Sequence, residues 1–413
     1  MKQLLHTPEG VRDIYQEECA KKLELQSILQ NTFHLYGYQD IQTPMFEYFD
    51  VFKKEIRTTP SKELYKFFDN EGETLVLRPD MTPQIARFAA TILPEDDIPA
   101  RLCYMGNTFI NHSSYQGRLR ETTQMGAELL GMESAEADAE MLALVIDSLK
   151  SAGLEEFQIT VGNVEFLQSL FEEANLGEEQ EERVRDAIAN RNFFAVDDIL
   201  KEEKVNLSAR AALNMLADFV GNKEILEDAK KIAPNRKAIN AIKRLENIYK
   251  TLCTYKMEKY VSFDLSMFGN YGYYTGIVFR GYTFGSGDAI VKGGRYDHLI
   301  GKFGRQLPSI GFVVAVDDLL NALHRQKIQI NVKKKNTIIL YDDTRAKDAI
   351  KLATEFRSKG KNTEIVEFDE HREFEFYLEY GKKHQANSLL YLMSNHEIRM
   401  ANLITGEQKL LKK

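Results

Sequence analysis

The sequence predicts an α+β protein with a helical insertion in its main domain and a small α/β domain at its C-terminal end. Three observations predict it. Extended runs cluster at 98–131 and resume at 259–316 with glycine loops, and a nearly continuous helical pattern separates them. A strand–helix–strand alternation then follows Lys333-Lys334-Lys335, which reads as a linker. The expected domains are a core over 1–325, an insertion over 165–256 inside it, and a C-terminal domain over 336–413. A chain of 413 residues, 43% of them hydrophobic, is long enough for two or three sizeable cores.

Each element has its own signal. Over 15–36, Leu25, Ile28, Leu29, Phe33 and Tyr36 share one helical stripe, and Gly37 supplies a left-handed stop. YQDIQTP is a short extended piece ending at Pro44. Residues 98–110 read as a strand, and 120–131 as another with polar alternation. Met141, Leu144, Val145 and Leu149 mark a helix over 136–152, closed by Gly153, and Phe157, Ile159 and Val161 alternate as in a half-buried strand. Ile239, Ile242, Leu245, Ile248 and Leu252 form a stripe in the insertion, whose acidic part reads as a solvated face. After the linker come TIILYDD, a helix carrying Ala346, Ile350, Ala353 and Phe356, Gly360, TEIVEF, a second helix, and the pair NSLLYLM and EIRMANLIT.

Composition narrows the function classes. The net charge of -8 argues against a free-standing nucleic-acid binder. Over 336–413 there are 13 Lys+Arg and 13 Asp+Glu, so the C-terminal domain lacks the excess cations that phosphates require. Cys19, Cys103 and Cys253 are far apart, and the histidines are scattered, so neither a disulfide framework nor a metal site is expected. With no signal-peptide pattern and no apolar run of ~20 residues, the expectation is a cytoplasmic protein without a membrane segment.

Seven collinear segments carry a resemblance: TPEGVRD (7–13), YGYQDIQTPMFE (36–47), LRPDMTPQIAR (77–87), GNTFINHSSYQGRLRETTQMGAELLG (106–131), GNYGYYTGIVF (269–279), GGRYDHLIGKFG (293–304) and LPSIGFVVAVDDLL (307–320). Together they resemble the histidyl branch of the class II aminoacyl-tRNA synthetases over roughly the first 320 residues. That resemblance implies a central antiparallel sheet flanked by helices and a dimer formed through 36–47. The C-terminal domain resembles a synthetase anticodon-binding domain only loosely.

Amino-acid activation needs cations to hold ATP while negative charge shifts across phosphorus. At the positions where the synthetases carry arginine, this chain has Ile110, Gly269 and Asp318, and His112 stands at a glutamate position. One lost oxyanion-type contact costs ~10²–10³ in rate, so losing three should abolish adenylation. By the same resemblance, Asp80, Thr82, Gln124, Glu128, Tyr273 and Tyr274 match positions that line a histidine pocket. Two carboxylates suit an ammonium and an imidazole N–H, while an amide and phenols can fix orientation.

A retained amino-acid pocket beside a lost nucleotide pocket is similar to one family in particular, the regulatory subunits of ATP phosphoribosyltransferase. The resemblance implies no catalysis, no cofactor, a short-form catalytic partner subunit, histidine as effector, no tRNA partner, and a role in the first step of histidine biosynthesis. An active synthetase with displaced ATP ligands, or a tRNA or amino-acid sensor, is the alternative. Simpler roles compete residue by residue. Asp80 could only cap the TPQIAR helix, Gln124 and Glu128 could be solvated strand residues, and Tyr273 and Tyr274 would point to opposite faces if extended. Gly293-Gly294-Arg295 reads as a turn with a salt bridge, and Arg78, Arg87, Arg118 and Arg120 retain some cationic character.

Overall fold

Two ten-residue strands, Ala100–Phe109 and Glu121–Leu130, pair along their whole length and seed the main sheet. The computed structural model describes residues 6–52, 59–112, 118–268, 272–332 and 336–411; Gly269 and the 333–335 linker lie outside them. The sheet has nine strands, in the order Gln39–Asp40, Ala100–Phe109, Glu121–Leu130, Ser309–Ala315, Val291–Arg295, Ile277–Thr283, Phe157–Asn163, Val261–Asp264 and Val220–Gly221. Its six inner strands, from Ala100–Phe109 to Phe157–Asn163, are antiparallel. Parallel pairing enters toward the margins, where Gln39–Asp40 joins Ala100–Phe109 and Val261–Asp264 joins Phe157–Asn163. The sheet is therefore mixed, with an antiparallel centre.

Side-chain alternation gives the sheet two different faces. Met125, Ala127 and Leu129 pack into one core with Met141, Leu142, Val145 and Leu149 of the helix Ala135–Ser151. Tyr104 and Leu130 pack into another with Met81, Ile85 and Tyr296, under the helix Thr82–Thr91. The polar alternation of 120–131 is thus no wet face, because every residue from Met125 to Leu130 is buried. Glu128 is polar on the second face and yet enclosed.

The first helix runs Gln16–Leu35, burying Leu25, Leu29 and Phe33, and Gly37 follows it at φ +81°. Ile28 and Tyr36 are only partly buried. Between Val164 and Tyr255 the described chain is almost wholly helical. Asn163, Asn192, Asn206 and Asn235 each cap a helix there with a side-chain oxygen, as asparagine at that position favours. Ile242, Leu245, Ile248 and Leu252 join the same core as the sheet.

By internal contacts the chain divides into two compact units, the first ending at Ile330 and the second beginning at Asn331, with Tyr15–Ala20 grouped with the second. The second unit carries a five-stranded sheet ordered Asn362–Glu367, Asn336–Tyr341, Ala386–Leu392, Ile398–Asn402 and Gln408–Leu411. Its helix Ala346–Ser358 buries Ala349 and Ala353, whereas Ile350 is 56% exposed. Ala353 and Phe356 pack inward as expected, and Ala349 takes the buried place expected of Ile350. No described helix is long and apolar enough to cross a membrane.

Candidate ligand site

The second face of the sheet gathers most of the anticipated residues around one carboxylate. Glu128 is 1% exposed and receives three hydroxyls: Tyr296 at 2.6 Å on Oε2, with Thr82 at 3.0 Å and Tyr104 at 3.4 Å on Oε1. Tyr104 stands on the neighbouring strand, Thr82 opens the helix Thr82–Thr91, and Tyr296 follows the strand Val291–Arg295. Gly311 lies opposite Glu128 in the pairing, where an added Cβ would meet Oε2 at 1.5 Å. Only a glycine leaves room for the carboxylate.

Asp80 is buried just before the helix Thr82–Thr91, in hydrogen-bonding distance of both the helix start and a phenol. Oδ1 accepts from the Thr82 backbone N–H at 3.2 Å, while Oδ2 accepts from the Tyr273 hydroxyl at 3.4 Å. Burial raises its carboxyl above the ordinary range, although these donors pull the other way. Tyr273 and Tyr274 do not point apart: they lie in a turn, with ring centroids 5.0 Å from one another, and Tyr273 stacks edge-on to Tyr296 at 5.9 Å. Gln124 shares the face of Glu128, four residues and about 13 Å along the strand. Its Oε1 is buried without a protein partner, the kind of atom a ligand N–H satisfies.

Burial pushes the Glu128 carboxyl up from 4.5 to about 8, against hydrogen bonds from Tyr296, Thr82 and Tyr104 that lower it. Between those values the folded protein holds a proton that the unfolded chain has released. The stability tied to this group is therefore full below the unfolded value and is lost as pH rises toward the folded one. The slope is about 1.4 kcal/mol per pH unit at most. Glu128→Gln should remove that slope, so denaturation from about pH 5 to pH 8 is expected to favour the variant increasingly. Parallel profiles for the two proteins would contradict it.

The described positions that the resemblance matches to synthetase arginines lie at the end of a strand and the start of a helix. Ile110 is partly buried at the end of its strand, its backbone N–H bonded to Arg120 O at 2.9 Å. Asp318 is exposed in the first turn of the helix Val316–Arg325. Partial burial and the carboxylates of Asp288 and Asp317 hold it above the usual range. Its neighbour Asp317 points inward, pairing with Lys22 at 2.6 Å and accepting from Thr123 N at 2.7 Å. His112 is lowered by partial burial and by Arg118.

The remaining arginines are mostly structural. Arg78 donates to the carbonyls of Asn107 and Thr43 at 2.8 and 2.9 Å, Arg87 pairs with Glu47 at 2.8 Å, and Arg120 folds over Gly10. Gly293-Gly294-Arg295 forms a strand where a turn was expected. The glycines sit there because a Cβ would strike Phe279 or Tyr274. The anticipated salt bridge is present, from Arg295 to Asp138 at 2.5 Å.

Sequence spacing hid two site residues, Tyr104 and Tyr296. Tyr104 had a faint signal in its alternation with Gly106, and Tyr296 one in the GGRYD run. Spacing also hid the meeting of His34, Asp40 and Cys103, whose ligand atoms lie within 4.8 Å of one another. These groups already satisfy each other: His34 and Gln30 reach Asp40 at 2.9 and 2.8 Å, and the Cys103 thiol at 3.5 Å. Burial pushes that thiol up to about 12, opposite to what a thiolate ligand needs.

An antiparallel centre with a polar site between one sheet face and a covering helix defines a class II synthetase-like protein. The sequence model of the family described as Histidyl-tRNA synthetase matches residues 10–319. An ATP phosphoribosyltransferase regulatory subunit of Acetivibrio thermocellus is 36% identical over 98% of this chain and 96% of its own. One from Clostridium kluyveri is 37% identical over 90% and 96%. A crystal structure described as an ATP phosphoribosyltransferase regulatory subunit/histidyl-tRNA synthetase from Bacillus halodurans superposes with a TM-score of 0.83 at 30% identity, covering 95% of this chain and 99% of that one. Histidyl-tRNA synthetase from S. aureus shares the fold, with a TM-score of 0.71 at 22% identity over 98% and 97% of the two chains. The chain belongs to the histidyl-tRNA synthetase-like family of ATP phosphoribosyltransferase regulatory subunits.

Proposed function

We propose that this chain is the non-catalytic regulatory subunit of ATP phosphoribosyltransferase, acting in the cytoplasm at the first step of histidine biosynthesis. Its partner is the short-form catalytic subunit, and its effector is histidine held on the Glu128 face. The observation that carries this reading is an asymmetry on one sheet. The hydrogen-bonding groups suited to an amino acid are gathered and buried around Glu128 and Asp80. At two described positions matched to phosphate-binding cations stand Ile110 and Asp318; the third, Gly269, lies outside the described residues.

Self-association through 36–47 belongs to the same reading, and the exposure of Met45, Phe46 and Tyr48 supports it. Bound histidine exchanges for one of the hydroxyl partners of Glu128, since the carboxylate has no free face. An ammonium or imidazolium beside it holds it ionised.

Calorimetry and pyrophosphate exchange test the reading together. Histidine is expected to bind saturably without supporting ATP–pyrophosphate exchange, and Glu128→Ala to weaken binding about 10- to 100-fold. Histidine-dependent exchange would establish the synthetase alternative instead, and unchanged affinity in the variant would move the ligand elsewhere.

A further inference from the structure

The most deeply buried charges outside the Glu128 cluster join the inserted helices to it. Asp138, 0% exposed, lies in the first turn of the helix Ala135–Ser151 and divides its two oxygens between two arginines. Oδ1 receives Arg295, from Nε at 2.9 Å and Nη2 at 2.5 Å. Oδ2 receives Nε of Arg244 at 2.6 Å, and Arg244 stands on the helix Arg236–Tyr255 of the insertion.

From Arg295 the connections run to the ligand site. Its Nη1 donates to Asp297 Oδ1 at 3.1 Å, and Asp297 Oδ2 accepts from Thr275 Oγ1 at 2.9 Å. The Thr275 N–H in turn donates to the Arg295 carbonyl at 2.8 Å. Thr275 follows Tyr273 and Tyr274, and between Arg295 and Asp297 lies Tyr296, the shortest hydrogen-bond donor to Glu128. The phenols that border the site are thus fixed by a chain of charges whose outer end, Arg244, belongs to the insertion.

We propose that Arg244 and Asp138 are positioning residues through which the inserted helices set the placement of Tyr296, and so the hydrogen bond that Glu128 receives. The inference rests on the Glu128 face being the ligand site, but its first test needs no ligand. Several groups around Glu128 bear on its titration: Tyr296, Thr82 at the start of its helix, Asp80 before that helix, Tyr104 on the adjoining strand, and Tyr38. From the strand Ser309–Ala315 the Gly311 backbone approaches it. Arg244 also donates to the carbonyls of Glu133 and Ser134, just before Asp138 in the chain. Its side-chain route toward Glu128 runs through Asp138 and Arg295.

The experiment follows the Glu128 carboxyl by NMR in protein labelled with ¹³C-glutamate, its signal assigned with Glu128→Gln. Tyr296→Phe removes a donor that favours the ionised form, and is expected to raise the titration midpoint. Arg244→Gln is expected to raise it in the same direction by a smaller amount, and Arg244→Lys, which keeps the charge, to stay nearer wild type. A midpoint unchanged in both Arg244 variants, while thermal stability falls and Tyr296→Phe moves it, would reduce Arg244 to a structural role and overturn the proposal. So would a midpoint that Tyr296→Phe fails to move. Histidine calorimetry on the same proteins separates the two claims. A midpoint shift in a protein that binds no histidine would sustain the positioning role and refute the ligand assignment.

Discussion

Gly311→Ala is expected to weaken histidine binding about 10- to 100-fold in a protein that still folds. The new Cβ would stand 1.5 Å from Glu128 Oε2 and 2.8 Å from the Ala127 carbonyl. The backbone is held in its antiparallel register, so the glutamate side chain has to leave. That exit takes away the acceptor for Thr82, Tyr104 and Tyr296 together. Losing a charge-assisted contact of this kind weakens binding about 10- to 100-fold, and the crowding costs about 1–3 kcal/mol of stability. Calorimetry and urea denaturation read the two effects separately. Affinity equal to wild type would show that the effector does not depend on Glu128.

Asp138→Ala should be the most destabilising single change in the main unit, by about 3–5 kcal/mol in urea denaturation. The loss arises from what is left behind. Arg295, its side chain 2% exposed, would keep only Asp297 and the Met132 carbonyl, and Arg244 would lose its buried partner. A loss below about 1 kcal/mol would mean that water enters and solvates the guanidinium.

Much of this architecture was legible because periodicity reports burial. The stripe through Leu25, Leu29 and Phe33, the strands of 98–131, and the helical run after Val164 all follow from spacing and caps. Asp80, Thr82 and Glu128 were visible through their motifs, and they meet in the structure. Other features depend on tertiary contact, which spacing does not encode. Tyr296 reaches Glu128 across 168 residues of chain and Arg295 reaches Asp138 across 157. The GGRYD run marks both residues but carries no sign of either partner. The Tyr273-Tyr274 expectation assumed an extended backbone, and the turn replaced opposite faces with one. The glycines of GGRYD resembled loop residues because their reason for being glycine, the rings of Phe279 and Tyr274, comes from other elements.

On the function proposed above, this chain lacks nucleotide chemistry, recognises an amino acid and controls a partner enzyme. The most direct measurement is phosphoribosyl-ATP formation by the short-form catalytic subunit, with and without this chain, across a histidine titration. Activity is expected to depend on this chain, histidine to suppress it, and Glu128→Gln to blunt the suppression while retaining the activity. A catalytic subunit equally active alone, with histidine having no effect on the assembled complex, would contradict it.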